Sequence, residues 1–175
     1  IATHPDDPEL LIVAQGGEAL GVATQMGDLD AVKNLVRATV DRFGRIDVIV
    51  NNAGVAVAGP VGDVPLRDWE WILGVNLWGV IYGCHHFLPM FKKQGSGHII
   101  NVASAAGLAQ APEMAPYHVT KSAAIPPSET LASELAGTGV GVTVVCPSFF
   151  QTSLMSGSRN SGMKGAEERV AKLMR

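Results

Sequence analysis

The sequence predicts an α/β protein built on a parallel, doubly wound sheet. Three observations carry this. Strand-like apolar runs alternate with stretches of helical spacing between residues 18 and 145. The runs at 46–50, 98–103 and 140–145 are short and largely apolar, and the first has the pattern of a strand covered by helices on both faces. No repeat, linker or shift in composition divides residues 1–175, so they are read as one domain.

The elements follow in order. Pro5, Asp6, Asp7 and Pro8 favour a loop over residues 1–9. Residues 10–14 read as the remnant of a helix ended by Gly16 and Gly17, and 18–25 as a strand. Asp28 caps a helix running to about Phe43, with Ala31, Leu35, Val36, Val40 and Phe43 near helical spacing. The strand at 46–50 precedes a long helical region from Asp68 to about Lys93, interrupted by Gly74, Gly79 and Gly83. After the strand at 98–103, a helix is predicted from Met114 to Ala136. Pro126 and Pro127 fall inside it, and interior proline costs ~3 kcal/mol, so the helix should kink or end at Ala124 or just before. Lys121 precedes that break. The strand at 140–145 ends at Pro147. Beyond Thr152 a polar, glycine-containing stretch at 156–165 leads to a last short amphipathic helix.

Composition narrows the function. Of 175 residues 47% are hydrophobic and 17% charged, which fits a soluble globular chain. A net charge of −3 leaves no basic footprint for nucleic acid. No run approaches the ~18 uninterrupted apolar residues a membrane helix needs, and no signal peptide is readable, so the cytoplasm is the expected location. Cys84 and Cys146 lie in apolar stretches and read as buried thiols rather than a disulfide framework. His85 and His86, adjacent on a helix, face different directions and read as packing residues; no metal site is expected. Trp69, Trp71 and Trp78 read as core and interface.

Chemistry concentrates at Tyr117 and Lys121. Four residues apart on a helix, a phenol and an ammonium share one face. A free phenol titrates near ~10 and is a poor base at neutral pH. A neighbouring cation favours the phenolate and is expected to bring Tyr117 toward the working pH, as general acid–base catalysis requires. Ser104, at the end of a strand, completes a set able to hold a substrate oxygen. Asn76 stands among Val75, Leu77 and Trp78, where an unpartnered amide is costly to bury.

Five segments in order extend the pattern: Arg45-Ile-Asp-Val-Ile-Val-Asn-Asn-Ala-Gly54, Gly74-Val-Asn-Leu-Trp-Gly79, Gly97-His-Ile-Ile-Asn-Val-Ala-Ser-Ala-Ala-Gly107, Tyr117-His-Val-Thr-Lys121 and Val144-Val-Cys-Pro-Ser-Phe-Phe-Gln-Thr152. Over about residues 15–155 the chain resembles the short-chain dehydrogenase/reductase family, single-domain nicotinamide oxidoreductases of Rossmann type. The resemblance implies an NAD- or NADP-dependent enzyme interconverting a secondary alcohol and its ketone, with Tyr117 as general acid/base. It implies Lys121 on the nicotinamide ribose, Ser104 on the substrate oxygen, and Asn76 holding a water in a proton relay. Asn51, Ala53 and Gly54 match the turn that stabilises the sheet and packs along the adenosine ribose. Pro147, Phe150 and Thr152 match the segment closing on the carboxamide, with Ser148 where glycine is usual. Gln25 takes the place of an aspartate that accepts from the adenine amino group, and the Met26 backbone N–H faces the same ring. A homodimer or homotetramer is implied as well.

Two departures matter. The family's glycine-rich phosphate turn, G-x-x-x-G-x-G, occurs nowhere in these residues, so the fold is expected to be incomplete at the N-terminus, and at the C-terminus too. The region that selects NAD or NADP is missing or reduced to residues 1–7. The substrate is expected to be small, neutral and fairly apolar, because Ala105, Leu108, Ala109, Met114, Leu154 and Met155 flank the set and no arginine stands near; Glu113 is the exception. Two other readings stay open. A 3-oxoacyl thioester reductase would need a basic patch for an acidic carrier, and Lys92-Lys93 is the sole adjacent basic pair. A non-catalytic binding relative fits the missing turn, but has no reason to keep Ser104, Tyr117 and Lys121.

Overall fold

A computed structural model describes residues 12–148, 154 and 158–160 of the chain. The elements are α1 (Leu29–Phe43), β1 (Val48–Asn51), β2 (Val57–Ala58), α2 (Leu66–Leu73), a π-helical stretch (Gly74–Trp78), α3 (Gly79–Gln94), β3 (Gly97–Val102), a 3₁₀ turn (Ala105–Gly107), α4 (Ala115–Ala123), α5 (Ile125–Glu134), β4 (Val140–Val145) and β5 (Arg159–Asn160). Strands β1, β3 and β4 form an all-parallel sheet in that order, with Ile49 opposite Ile99 and Ile99 opposite Val142. A separate parallel ladder pairs β2 with β5, Val57 opposite Arg159.

The predicted elements form for the reasons their sequence suggests. The Asp28 carboxylate accepts the Asp30 and Ala31 N–H groups at 2.8 and 3.1 Å, and Gly44 ends α1 at φ 76°. Val36 and Val40 of α1, Phe87 and Phe91 of α3, and Leu131 and Leu135 from the end of α5 pack with Ile46, Ile49, Ile99 and Val140 in one core. This core lies on one face of the sheet. Val48 and Val50 alternate to the other face and are 52% and 57% exposed, so two covered faces are not found for β1 among the described residues.

Three other expectations change. Residues 17–25 form no strand: no described strand lies beside them, and an extended segment without a ladder partner is not sheet. The glycines at 74, 79 and 83 do not interrupt the long helical region, which runs from Leu66 to Gln94 and only widens into a π turn at Gly74–Trp78. They permit close approach instead. A Cβ on Gly79 would stand 3.2 Å from Met26 Cβ, and one on Gly83 would stand 2.1 Å from Asn51 Oδ1. The helix also begins at Leu66, with Pro65 as its N-cap, two residues before Asp68.

The double proline acts as predicted. Helix α4 ends at Ala123 and α5 starts at Ile125, which puts Pro126 and Pro127 in a first turn, where missing N–H groups cost little. Phe150, Thr152, Met155 and the last predicted helix lie outside the described residues. No helix among the described residues is long and apolar enough to cross a membrane, and no group of three His, Cys, Asp or Glu is placed to hold a metal.

Candidate active site

Strand β3 ends on Val102, and two residues later Ser104 caps the 3₁₀ turn. Its Oγ accepts the Ala106 N–H at 3.1 Å, which leaves its own proton to donate elsewhere. Helix α4 enters beside this turn and carries Tyr117 and Lys121 on one face, with the Ser104 hydroxyl beside the phenol. Lys121 Nζ stands 5.9 Å from the Tyr117 ring centre and donates to the Val102 carbonyl at 2.8 Å, leaving two further N–H donors. Both side chains are buried. Tyr117 belongs to a buried cluster with Ala56, Val57, Val64 and Ile72, against which Trp69, Trp71, Met114 and Leu154 pack.

Burial dominates the electrostatics and corrects the sequence expectation. Desolvation pushes the Tyr117 phenol above its ordinary value, only partly opposed by the hydrogen bond with Ser104. The same cause pushes the Lys121 ammonium down, with Cys146 acting the other way. The phenol is therefore protonated at neutral pH rather than drawn toward the phenolate.

Asn76 occupies the middle of the π stretch, fully buried, with its carboxamide spent on protein partners. Oδ1 accepts the Val55 N–H at 2.8 Å, while Nδ2 donates to the Val55 carbonyl at 2.9 Å and to Thr120 Oγ1 at 3.1 Å. With both N–H groups engaged, the visible work of this side chain is to bind the turn after β1 to α4. Thr120 continues the chain by donating to the Tyr117 carbonyl at 2.9 Å. Gly54 sits inside the junction: a Cβ there would lie 3.6 Å from Lys121 Nζ and 3.7 Å from Asn76 Oδ1.

The remaining predicted residues divide. Asn51 turns into the sheet, donating to Asn101 Oδ1 at 2.8 Å; Asn101 in turn donates to Ser128 Oγ at 2.9 Å, and Ser128 donates to the Ala124 carbonyl at 2.7 Å. Half-buried Cys84 lies beside this ladder, its thiol pushed up by burial, and Cys146 is likewise half-buried; both are free. Ala53 is exposed in the turn. The Pro147 carbonyl accepts the Ala105 N–H at 2.8 Å, which ties the segment after β4 to the turn that carries Ser104. Gln25 is exposed at a cleft of about 400 Å³ shared with Arg67, Trp71, Val75 and Arg159, and its carbonyl accepts the Asp28 N–H at 2.9 Å. Met26 packs at Gly79.

Sequence reasoning did not single out Thr120, Gly107, His118 or Ser128. A Cβ on Gly107 would lie 2.7 Å from the Lys121 carbonyl oxygen, so the serine turn and the tyrosine helix touch backbone to backbone. Thr120, Gly107 and His118 lie inside quoted motifs and Ser128 outside them, and the partner of each is visible only once the chain is folded.

A partial parallel sheet, a strand-end serine and a Tyr-x-x-x-Lys helix define a Rossmann-type α/β domain with an oxidoreductase-like site. Residues 9–162 match the short chain dehydrogenase family, and the chain belongs to the short-chain dehydrogenase/reductase family. It is 39% identical over 143 residues to a 3-oxoacyl-[acyl-carrier-protein] reductase of Synechocystis, covering 82% of this chain and 58% of that protein. It is 38% identical over 146 residues to a CLA biosynthesis dehydrogenase/reductase of Lactiplantibacillus plantarum, covering 82% and 51%. The crystal structure of a short chain dehydrogenase/reductase from Burkholderia phymatum in complex with NAD superposes with a TM-score of 0.82 at 36% identity, covering 85% of this chain and 54% of that one. The chain thus spans about half the length of the curated relatives it matches.

Proposed function

We propose that this chain carries the catalytic part of an NAD(P)-dependent oxidoreductase that interconverts a neutral, fairly apolar secondary alcohol and its ketone. The observation that carries the reading is the convergence of Ser104 and Lys121 on one buried phenol, Tyr117. Family membership and the likeness to an NAD complex support the cofactor class. The residues present fit the nicotinamide end: two N–H donors of Lys121 remain for ribose hydroxyls, and Gly54 keeps the space above them open. Pro147 with Phe150 and Thr152 are assigned to the carboxamide, Asn51, Ala53 and Gly54 to the adenosine ribose turn, and Gln25 with Met26 to the adenine. When bound, the nicotinamide supplies the hydride.

Ser104 donates to the substrate oxygen, and Tyr117 gives its proton to that oxygen as negative charge develops on it. A phenol kept protonated by burial suits the acid role in reduction. Asn76 and Thr120 hold Lys121 and Tyr117 in place. Ala105, Leu108, Ala109, Met114 and Leu154 offer an apolar wall to the substrate. A cytoplasmic homodimer or homotetramer belongs to the same reading.

The likeness to a 3-oxoacyl-[acyl-carrier-protein] reductase favours a second reading, a thioester-linked 3-oxoacyl substrate. Lys92 and Lys93, both exposed at the end of α3, are the adjacent cations available to an acidic carrier. Titration of the full-length protein with NADH and NADPH, followed by nicotinamide fluorescence, tests the cofactor reading. Saturable binding of one supports it and justifies a screen of simple ketones and 3-oxoacyl thioesters with Tyr117→Phe as control. A folded protein that binds neither overturns it in favour of a non-catalytic relative.

A further inference from the structure

We infer that His118 is a positioning residue that shapes the substrate side of the site, by clamping the loop over residues 105–111 to the helical turn bearing Tyr117 and Lys121. This rests on the oxidoreductase reading above for its kinetic consequence, but not for its geometry. The imidazole is 8% exposed and reaches two backbone groups five residues apart in the loop. Nδ1 stands 2.6 Å from the Ala106 carbonyl oxygen. Nε2 stands 2.9 Å from the Ala111 amide nitrogen and 3.2 Å from the Ala111 carbonyl oxygen.

A carbonyl cannot donate, so the proton of the first contact resides on Nδ1. The Ala111 N–H needs an acceptor, and the Nε2 lone pair supplies it. These contacts assign the donor to Nδ1 and the acceptor to Nε2, with both nitrogens used. Between its two anchors Gly107 is seated against the Lys121 backbone, and the Leu108 and Ala109 N–H groups donate to the Ala105 carbonyl at 2.9 and 3.0 Å, so Gln110 and Ala111 depend on the imidazole. Leu108, 66% exposed, rises between those points.

The consequence concerns the substrate. Ser104 is held by its own cap bond to Ala106 N–H and by the Ala105–Pro147 backbone bond, neither of which involves His118. The Ala111 end of the loop has no backbone–backbone bond to the 3₁₀ turn or to α4. Loss of the imidazole frees the stretch of Gln110 and Ala111 that follows the apolar wall of Leu108 and Ala109, and leaves Tyr117, Lys121 and Ser104 with their own contacts. Substrate binding should suffer while the chemistry and the cofactor do not.

The test has a spectroscopic and a kinetic arm, both in the full-length protein. Ring ¹⁵N shifts of His118 should report the Nδ1–H tautomer at neutral pH, and the Ala111 amide should be protected from hydrogen exchange. His118→Phe fills the same space without either bond. It should raise KM for the ketone on the order of tenfold, with kcat and nicotinamide affinity within about threefold of wild type. His118→Asn keeps a donor for Ala106 and His118→Gln an acceptor for Ala111, so each should recover part of the loss. An Nε2–H ring, an unprotected Ala111 amide, or a folded His118→Phe with wild-type KM overturns the proposal. If His118→Phe does not fold, the tautomer, the amide exchange and the Asn and Gln variants decide. A wild-type protein that binds no nicotinamide defeats the oxidoreductase reading instead, and the tautomer and exchange still judge the clamp.

Discussion

Replacing Asn76 with alanine tests how the π stretch holds the site together. Three hydrogen bonds disappear: two with the Val55 backbone at 2.8 and 2.9 Å, and one with Thr120 at 3.1 Å. Removing one partner of a buried pair costs about 1–3 kcal/mol per stranded group. Val55 is only half-buried, so water partly compensates its N–H and C=O, and the low end of that range applies to each. Thr120 keeps its bond to the Tyr117 carbonyl and loses only a donor. The sum is about 3 kcal/mol, or on the order of a hundredfold in the unfolding equilibrium constant. Urea unfolding measures it as a shift of the midpoint at constant slope. Asn76→Asp keeps an acceptor for the Val55 N–H but sets a carboxylate against the Val55 carbonyl, and should be no better than alanine. A loss below about 1 kcal/mol for Asn76→Ala would refute the claim that this carboxamide fastens the turn to the helix.

Other expectations follow from single contacts. Gly107→Ala places a methyl group 2.7 Å from the Lys121 carbonyl oxygen, where both partners are backbone; a loss of about 1–3 kcal/mol by thermal or urea unfolding, with lower kcat/KM, is expected. Ser128→Ala leaves the buried Asn101 amide without its acceptor and should cost about 1–3 kcal/mol in unfolding free energy without altering the KM for nicotinamide. Burial raises the Tyr117 phenol above its unfolded value, so its share of stability is complete below pH ~10 and is lost as pH rises through the higher folded value. Tyr117→Phe should accordingly show a shallower alkaline fall in unfolding free energy, and an equally steep fall would count against the buried phenol. In the wild type, ketone reduction should stay level through neutral pH, while alcohol oxidation should climb toward alkaline pH; initial rates across a pH series decide this.

Much of the fold was legible because it depends on local rules. Asp28 as a cap, the spacing of Val36 and Val40, the apolar run of β4 and the proline break after Ala124 all act within a few residues of themselves. The site was legible for a related reason: a helix puts residues four apart on one face, so Tyr117 and Lys121 were bound to meet. The misread parts depend on partners far along the chain. Residues 18–25 have strand composition but no described neighbour to pair with. Gly74, Gly79 and Gly83 look like breaks, yet they make room for Gly27, Met26 and Asn51.

Local chemistry thus determined the order of elements, the candidate trio of Ser104, Tyr117 and Lys121, and the family. Tertiary packing decided what those residues are surrounded by. Burial of Tyr117 turned an expected fall in its pKa into a rise, because desolvation outweighs the opposing hydrogen bond. Contacts across the fold gave Asn76, Thr120, Gly107 and His118 their work, because a hydrogen bond or a close approach exists only between groups that folding has brought together.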